Sequence, residues 1–162
     1  MSTFAEILLN GVSLGSVYAL IALGFVVIFR ATEVVNFAHA SLLLAGGYVT
    51  ATLHDDLGFW PALLVGIAGA ALVGAAVEFL VMRRYRGTDH SVLAIVTIGV
   101  DILLTTELTR RIGTDVLALG DPWGDSVLKL GPISLAHTRI AAFVAAALLI
   151  TAFLLAFRYT SW

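Results

Sequence analysis

Ionisable side chains lie inside long apolar stretches of the sequence, among them His39, Glu78 and Asp101. Each is of a type that serves as a general acid, a general base or a ligand. They come from three different stretches, and nothing in their spacing requires them to meet. A membrane-embedded hydrolase that uses Asp101 is therefore one interpretation of the chain, although no motif accompanies it.

The residues needed for most cofactor and nucleotide chemistry are missing from the pattern. The chain has no cysteine, which excludes disulfides, thiolate metal sites and a cysteine nucleophile. Its four histidines are scattered and lack the spacing of metal ligands. Neither the phosphate loop GxxxxGKS/T nor HExxH or GxSxG occurs. The sequence predicts no catalytic residue, no metal and no cofactor, so we expect a protein that is not an enzyme.

The composition places the chain in a membrane. Of its 162 residues, 60% are hydrophobic and 12% charged, whereas soluble domains are about 45–50% apolar and about 25% charged. A bilayer-crossing helix takes roughly 20 mostly apolar residues, so about four or five crossings fit. A formal net charge of −2 gives no field that would attract nucleic acid. Membrane lipid is the expected surrounding, and nucleic acid is excluded as a partner.

The first apolar stretch runs from Ile7 to Phe29 and contains no Lys or Arg before Arg30. A signal peptide would open with positive charge and have a shorter apolar core, so this stretch is predicted to be a transmembrane helix. Gly11 and Gly15 form a GxxxG pair, which lets a second helix approach closely in lipid.

The second apolar stretch, Val34 to Leu53, is the least regular. It carries Asn36, His39 and Ser41, followed by the glycine pair at 46–47. Such a stretch is predicted to be a bent, broken or partly re-entrant helix. Irregular backbone is tolerated at membrane depth only where protein covers it or where it lines a wet cavity.

Three further spans are predicted at Trp60–Met82, Val92–Leu108 and Ile140–Phe157. On the third span, small residues recur every four positions and form a second packing face, which consists of Gly66, Ala70 and Gly74. Asp101 lies near the middle of the fourth span. A carboxylate there is expected to face the bundle interior, a partner or water. The alternatives are a shift of the helix toward an interface, or a hydrogen bond to a neighbouring Thr or His.

Between the last two spans the composition changes to Gly, Asp, Pro and Trp, which predicts an extramembrane loop over residues 112–138. Short strands are expected around Val127–Leu130. The predicted fold is all-α: a polytopic integral membrane helix bundle of about five membrane segments, the second broken or re-entrant. Residues 1–162 are expected to form a single membrane domain.

The basic residues give an orientation. Four arginines are predicted to act as charge anchors on the cytoplasmic side, namely Arg83, Arg84, Arg86 and Arg158. The positive-inside rule then places the N-terminus outside the cytoplasm.

Two motifs carry a resemblance to a known family. The run from Asn10 to Phe25, NGVSLGSVYALIALGF, is followed by VNFAHA at 35–40 and AGGY at 45–48. Together they closely resemble the opening of the branched-chain amino acid ABC transporter permeases, whose close relatives are urea and short-chain amide permeases. The likeness continues through LAIVTIG at 93–99 and covers nearly the whole chain.

The resemblance implies a multi-pass permease subunit of the bacterial inner membrane, working by ATP-driven alternating access. Its implied partners are a second homologous permease, two cytoplasmic ATPase subunits and a periplasmic or lipid-anchored substrate-binding protein. Carried over by motif, Gly15, Tyr18 and Gly24 belong to the first helix's signature, and Asn36, Phe37, Ala38 and His39 to the second motif. The translocation path is predicted to contain Tyr18, Asn36, Phe37, His39, Ser41 and Asp101, and the helix-packing residues to include Gly24 besides the two faces above.

The chain departs from the family in three ways. Ala40 stands where the family usually has glycine, and the family offers no substrate role for Asp101 to inherit. Family members are also nearly twice as long, so we expect this chain to be the N-terminal portion of a longer permease. The alternatives are a urea or amide permease, or a truncated membrane protein that does not transport.

Overall fold

The computed structural model describes residues 2–85, 87–123, 127–130 and 133–159. In chain order the elements are α1 (Ser2–Thr32), α2 (His39–Leu57), α3 (Phe59–Leu80), a 3-10 turn (Met82–Tyr85), α4 (His90–Ile112), β1 (Val127–Leu130), β2 (Ile133–Ala136) and α5 (His137–Tyr159). The two strands form an antiparallel hairpin in which Leu130 pairs with Ile133. The predicted helical fold is confirmed, and so is the short strand at Val127–Leu130.

Four helices of the described chain are long and apolar enough to cross a membrane: Ile7–Thr32, Phe59–Tyr85, His90–Ile112 and His137–Tyr159. They correspond to the first, third, fourth and fifth predicted spans. The remaining helix, α2, is 19 residues long. It carries the polar sequence His54-Asp55-Asp56 in its last turn and is not among these four. The protein is thus a polytopic membrane protein, in which α2 is more polar than the four helices that can cross a membrane by themselves.

The boundaries of α2 differ from the prediction. The apolar stretch begins at Val34, but the helix begins at His39 and continues without interruption through Gly46 and Gly47. The irregular part of this stretch therefore precedes the helix and does not involve the glycine pair.

The described chain divides into two compact units, residues 1–27 with 123–162 and residues 28–122. In the second unit, α2 and α3 are joined through Gly58 alone, whose φ of 80° suits glycine. The two helices form an antiparallel hairpin in which Gly66 lies on Gly46 and Thr50. A Cβ on Gly66 would be 2.7 Å from the carbonyl oxygen of Gly46. The backbones therefore approach each other as closely as small residues allow.

The other two small residues of the α3 packing face, Ala70 and Gly74, also lie toward α2. A Cβ on Gly46 would be 3.1 Å from the Cβ of Ala70, and one on Gly74 would be 4.0 Å from Leu42 Cδ1. The small residues at four-residue spacing on α3 thus lie along the contact with α2.

Within the first unit, α1 and α5 are linked by polar groups. The Ser13 hydroxyl donates to the carbonyl oxygen of Arg139 over 3.3 Å, and the Arg139 guanidinium donates to Asn10 Oδ1. Gly24 is half-buried, whereas a Cβ on Gly11 or Gly15 would meet no described atom within 4 Å. Close packing on the GxxxG pair stays a prediction.

Candidate translocation site

The chain leaves helical geometry between α1 and α2. Glu33 has a positive φ of 55°, which ends α1 because a residue in that conformation cannot continue the helix. The Thr32 hydroxyl donates to the carbonyl oxygen of Ile28 and accepts the N–H of Val34. Val34 and Ala38 are buried, at 4% and 0% exposure, and anchor both ends of the non-helical segment. We call residues 33–38 the entry segment.

Asn36 satisfies the backbone at the start of α2. Its Oδ1 accepts the N–H of Ala38 over 3.0 Å, and its carbonyl oxygen accepts the N–H of His39 over 3.3 Å. In lipid an unsatisfied peptide group costs several kcal/mol, so these local bonds allow the chain to be non-helical here. The polar residue that interrupts the apolar stretch therefore stabilises the turn that begins α2.

Thr97 of α4 forms hydrogen bonds with the backbone of the entry segment. Its hydroxyl oxygen accepts the N–H of Phe37 over 3.1 Å. The hydroxyl proton faces two carbonyl oxygens, that of Ala94 at 2.7 Å and that of Val35 at 3.3 Å. With 1% exposure, Thr97 is a fully buried side chain in the contact between α4 and the start of α2.

Sequence reasoning missed Thr97, because it stands in the apolar run LAIVTIG without any chemical motif around it. The available signal was a hydroxyl in a membrane-spanning helix, which has to find a hydrogen-bond partner. A threonine that bonds only to its own helix would have looked the same in the sequence.

The structure brings four of the predicted path residues together at the start of α2: Asn36, Phe37, His39 and Ser41. Ser41 is buried, and its hydroxyl donates to the carbonyl oxygen of Ala38. The Phe37 side chain is 49% exposed, and His39 is half-buried. Tyr18, exposed on α1, belongs to the other compact unit. The role of all these residues in a path stays a prediction.

Asp101 lies one turn after Thr97 on α4 and is half-buried. No hydrogen bond or ion pair reaches its carboxylate from the residues that the structure describes, so neither Thr105 nor a histidine is its partner there. Near the end of the same helix, by contrast, Glu107 binds both Arg110 and Arg111, at 2.9 and 2.6 Å.

The predicted charge anchors lie at helix ends. Arg83 and Arg84 are exposed in the turn after α3, and the Arg83 guanidinium lies 5.2 Å from the centre of the Phe79 ring. Arg158 is exposed in the last turn of α5. Arg86 lies outside the described residues. Among those described, no group of three or more His, Asp or Glu side chains is placed to hold a metal ion.

The chain after α4 folds back onto α2. Gly120 has a φ of 77°, and a Cβ there would lie 2.5 Å from Cδ2 of the His54 ring. That ring is held by Nδ1, 2.8 Å from the carbonyl oxygen of Ala51, and by Nε2, 3.2 Å from Asp55 Oδ1. Beside it, Leu119 helps to line an apolar groove of about 590 Å³ along α2 and α3.

Comparison with known proteins gives a family match along almost the whole chain. The family described as "Branched-chain amino acid transport system / permease component" matches residues 7–162. The high-affinity branched-chain amino acid transport system permease protein LivH of Escherichia coli K12 is 30% identical over 127 residues, which are 72% of this chain and 41% of that protein. LivH of Salmonella typhimurium is 29% identical over 126 residues, with the same coverage of both chains.

A third relative, the permease protein BraD of Pseudomonas aeruginosa, is 29% identical over 111 residues, or 62% of this chain and 36% of BraD. The chain thus spans about two fifths of the length of the curated relatives that it matches. No solved structure matches it.

Proposed function

The chain belongs to the family of branched-chain amino acid transport permeases, and we propose on that premise that it is a transmembrane subunit of an ABC uptake transporter. Its substrates are branched-chain or other small amino acids. ATP is hydrolysed by two cytoplasmic ATPase subunits and not by this chain. A second homologous permease and a periplasmic or lipid-anchored binding protein complete the transporter.

The observation that carries the proposal is the entry segment between α1 and α2. A transporter needs polar backbone and side chains at a place where helices can part, and non-helical backbone survives in a membrane only where it is covered or lines a wet cavity. At this segment Asn36 and Thr97 supply the hydrogen bonds, while the side chains of Phe37 and His39 are accessible. A solute meets both an aromatic and a polar surface there.

The two contacts of α2 differ in how readily they can change. The contact with α3 is a backbone approach at Gly66 that leaves no space for a Cβ, so α2 and α3 move as one body. The polar link to α4 is a hydroxyl hydrogen bond at Thr97, which can be exchanged without a change in volume. Alternating access proceeds through such discrete rearrangements of packed helices.

The chain lies in the bacterial inner membrane with its N-terminus outside the cytoplasm. In this orientation Arg83, Arg84 and Arg158 lie at the cytoplasmic surface, where positive charge is favoured. The loop after α4 and the β1–β2 hairpin then lie on the outer side. The site to which the binding protein delivers its solute is on that side.

Uptake by the source organism tests the proposal. Deletion of the coding sequence that contains this chain should abolish high-affinity uptake of radiolabelled leucine, isoleucine and valine, and the restored sequence should return it. Loss of urea uptake alone would replace the substrate class by that of the urea and amide permeases. Unchanged uptake of all these solutes would overturn the proposal and favour a membrane protein that does not transport.

The partner set has its own test. The tagged protein, purified from its own membranes in mild detergent, should carry an ATPase subunit that is identified by mass spectrometry. A preparation that contains only other membrane proteins would contradict the transporter assembly, whatever the uptake result.

A further inference from the structure

We propose that Thr97 is a positioning residue whose hydroxyl latches the entry segment to α4, so that release of this bond accompanies the change between transport states. The inference rests on the proposed function for its role in transport. Its structural content, an entry segment whose backbone is bonded to α4 by the Thr97 hydroxyl, is testable without transport.

The hydrogen bonds of the entry segment are of two kinds. Asn36 and Thr32 satisfy the N–H groups of Ala38, His39 and Val34 from within the same stretch of chain. The N–H of Phe37, by contrast, bonds to a residue 60 positions away in the sequence. The shape of the turn is therefore local, whereas its buried hydrogen bond to α4 is made by Thr97. The other polar approach to α4 is at the exposed end of the segment, where Glu33 Oε2 lies 4.0 Å from Nε2 of His90.

The Thr97 hydroxyl is suited to an attachment that opens. It has one proton and two carbonyl acceptors, and the acceptor on its own helix, Ala94, is the nearer at 2.7 Å. When the entry segment moves away, the hydroxyl keeps that bond and loses the acceptor at Val35, 3.3 Å away. On α4 no donor is left unsatisfied, so the cost of opening falls on the Phe37 N–H, which has to find water or another acceptor when it leaves Thr97.

The contacts around the Thr97–Phe37 bond are of two other kinds, one apolar and one a close backbone approach. Thr97 is followed on the same face of α4 by buried Val100, whose apolar contact can slide without a specific bond. On its other side α2 is tied to α3 through Gly66. A relative shift of α4 and the α2–α3 pair therefore changes the Thr97–Phe37 hydrogen bond, which joins α4 to the start of α2.

The absence of cysteine from the sequence allows a direct measurement of the latch. A Val34→Cys variant places the only thiol of residues 1–162 at a buried position of the entry segment, and its rate of reaction with a maleimide is measured in native membranes. Adding Thr97→Val keeps the side-chain volume and removes the hydroxyl, so labelling should accelerate about fivefold, the equilibrium factor for one hydrogen bond. Thr97→Ser keeps the hydroxyl and should restore the slow rate.

Two controls separate a released latch from a loosened protein. Thr105→Val makes the same change at an exposed position two turns further along α4 and should leave the labelling rate unaltered. A thiol placed by Ala45→Cys, at a buried position of α2, should react equally slowly with Thr97 or Val at position 97. Equal acceleration at both thiols, or none at position 34, would overturn the proposal. If Thr97→Val does not accumulate, Thr97→Ala removes the same hydroxyl and must give the same result.

Transport kinetics give the second readout, in the chain with its native Val34. Thr97→Val should lower the maximal rate of leucine uptake about fivefold and change KM little, and Thr97→Ser should recover most of that rate. A raised KM with an unchanged maximal rate would instead assign Thr97 to solute binding. If the parent chain transports none of the tested amino acids, the proposed function fails, while the labelling result still decides the latch.

Discussion

Thr50 of α2 lies directly against Gly66 of α3, in the space that a Cβ on Gly66 would occupy. Its hydroxyl is turned back into its own helix and donates to the carbonyl oxygen of Gly46 over 3.0 Å. The same carbonyl oxygen faces Gly66, so a threonine and two glycines bring the two backbones together. This contact explains why α2 behaves as part of a helical hairpin although it is less suited than the other helices to cross a membrane by itself.

The first prediction concerns this contact. Gly66→Ala should destabilise the protein by about 1–3 kcal/mol, since both the Thr50 side chain and the Gly46 carbonyl would have to move. Thermal unfolding in detergent measures the effect. Gly69→Ala is the matched control, because a Cβ there lies at an ordinary 3.6 Å from Val49 Cγ2. Equal stability of the two variants would show that the helices separate more easily than the close approach indicates.

The loop after α4 gives a second prediction. Gly120→Ala should release this loop from α2, because alanine at a φ of 77° costs about 1–2 kcal/mol and its Cβ would also meet the His54 ring. Limited proteolysis of the loop should therefore speed up. Gly113→Ala has the same kind of strain at a φ of 62° but no atom within 4 Å, so it should have the smaller effect. Faster proteolysis of Gly113→Ala than of Gly120→Ala would show that the contact with His54 does not hold the loop on α2.

A third prediction separates the structural role of Asn36, which accepts a backbone hydrogen bond, from its predicted role in the translocation path. Asn36→Ala removes the acceptor of the Ala38 N–H and should cost about 1 kcal/mol of stability together with most of the uptake. Asn36→Ser keeps an uncharged acceptor oxygen close to the Ala38 N–H and should recover part of the stability. Normal uptake by Asn36→Ala at normal abundance would take this residue out of the path, and His39→Ala is judged by the same criterion.

The fourth prediction concerns Asp101. A charged carboxylate at the centre of a spanning helix costs about 2.5–3.5 kcal/mol on insertion scales, so Asp101→Asn should raise the amount of protein in the membrane. If the carboxylate serves the path, uptake per molecule should nevertheless fall. Glu107→Gln, near the end of the same helix, should leave uptake per molecule unchanged. Higher abundance of Asp101→Asn with full uptake would make Asp101 dispensable for transport.

A fifth prediction tests the orientation. In a chain without cysteine, Asp56→Cys at the end of α2 should react with a membrane-impermeant maleimide on intact cells. Arg84→Cys, in the turn after α3, should react only after the cells are opened. The opposite pattern would invert the protein in the membrane. Labelling of both positions on intact cells would mean that α3 does not cross it.

The sequence anticipated the elements better than their contacts. Four of the five predicted spans fall within a helix or its immediate continuation because long apolar runs have a single outcome in lipid. The strand at Val127–Leu130 stands among turn-forming residues. The polar residues Asn36, His39 and Ser41 predicted an irregular second segment, but not that the helix begins only at His39. Val34 and Ala38 are as apolar as a helix would require, and only the bonds around Asn36 show where the break lies.

The amino-acid sequence by itself determined that this is a polytopic membrane protein, which family it belongs to and where its polar interruptions lie. Those properties follow from composition and from motifs within short stretches, because the length and hydropathy of each segment decide by themselves whether it can span the bilayer. The tertiary structure alone decided that Thr97 holds Phe37 and that Thr50 fills the space above Gly66. Both contacts join different helices, and their existence depends on which faces of those helices pack together.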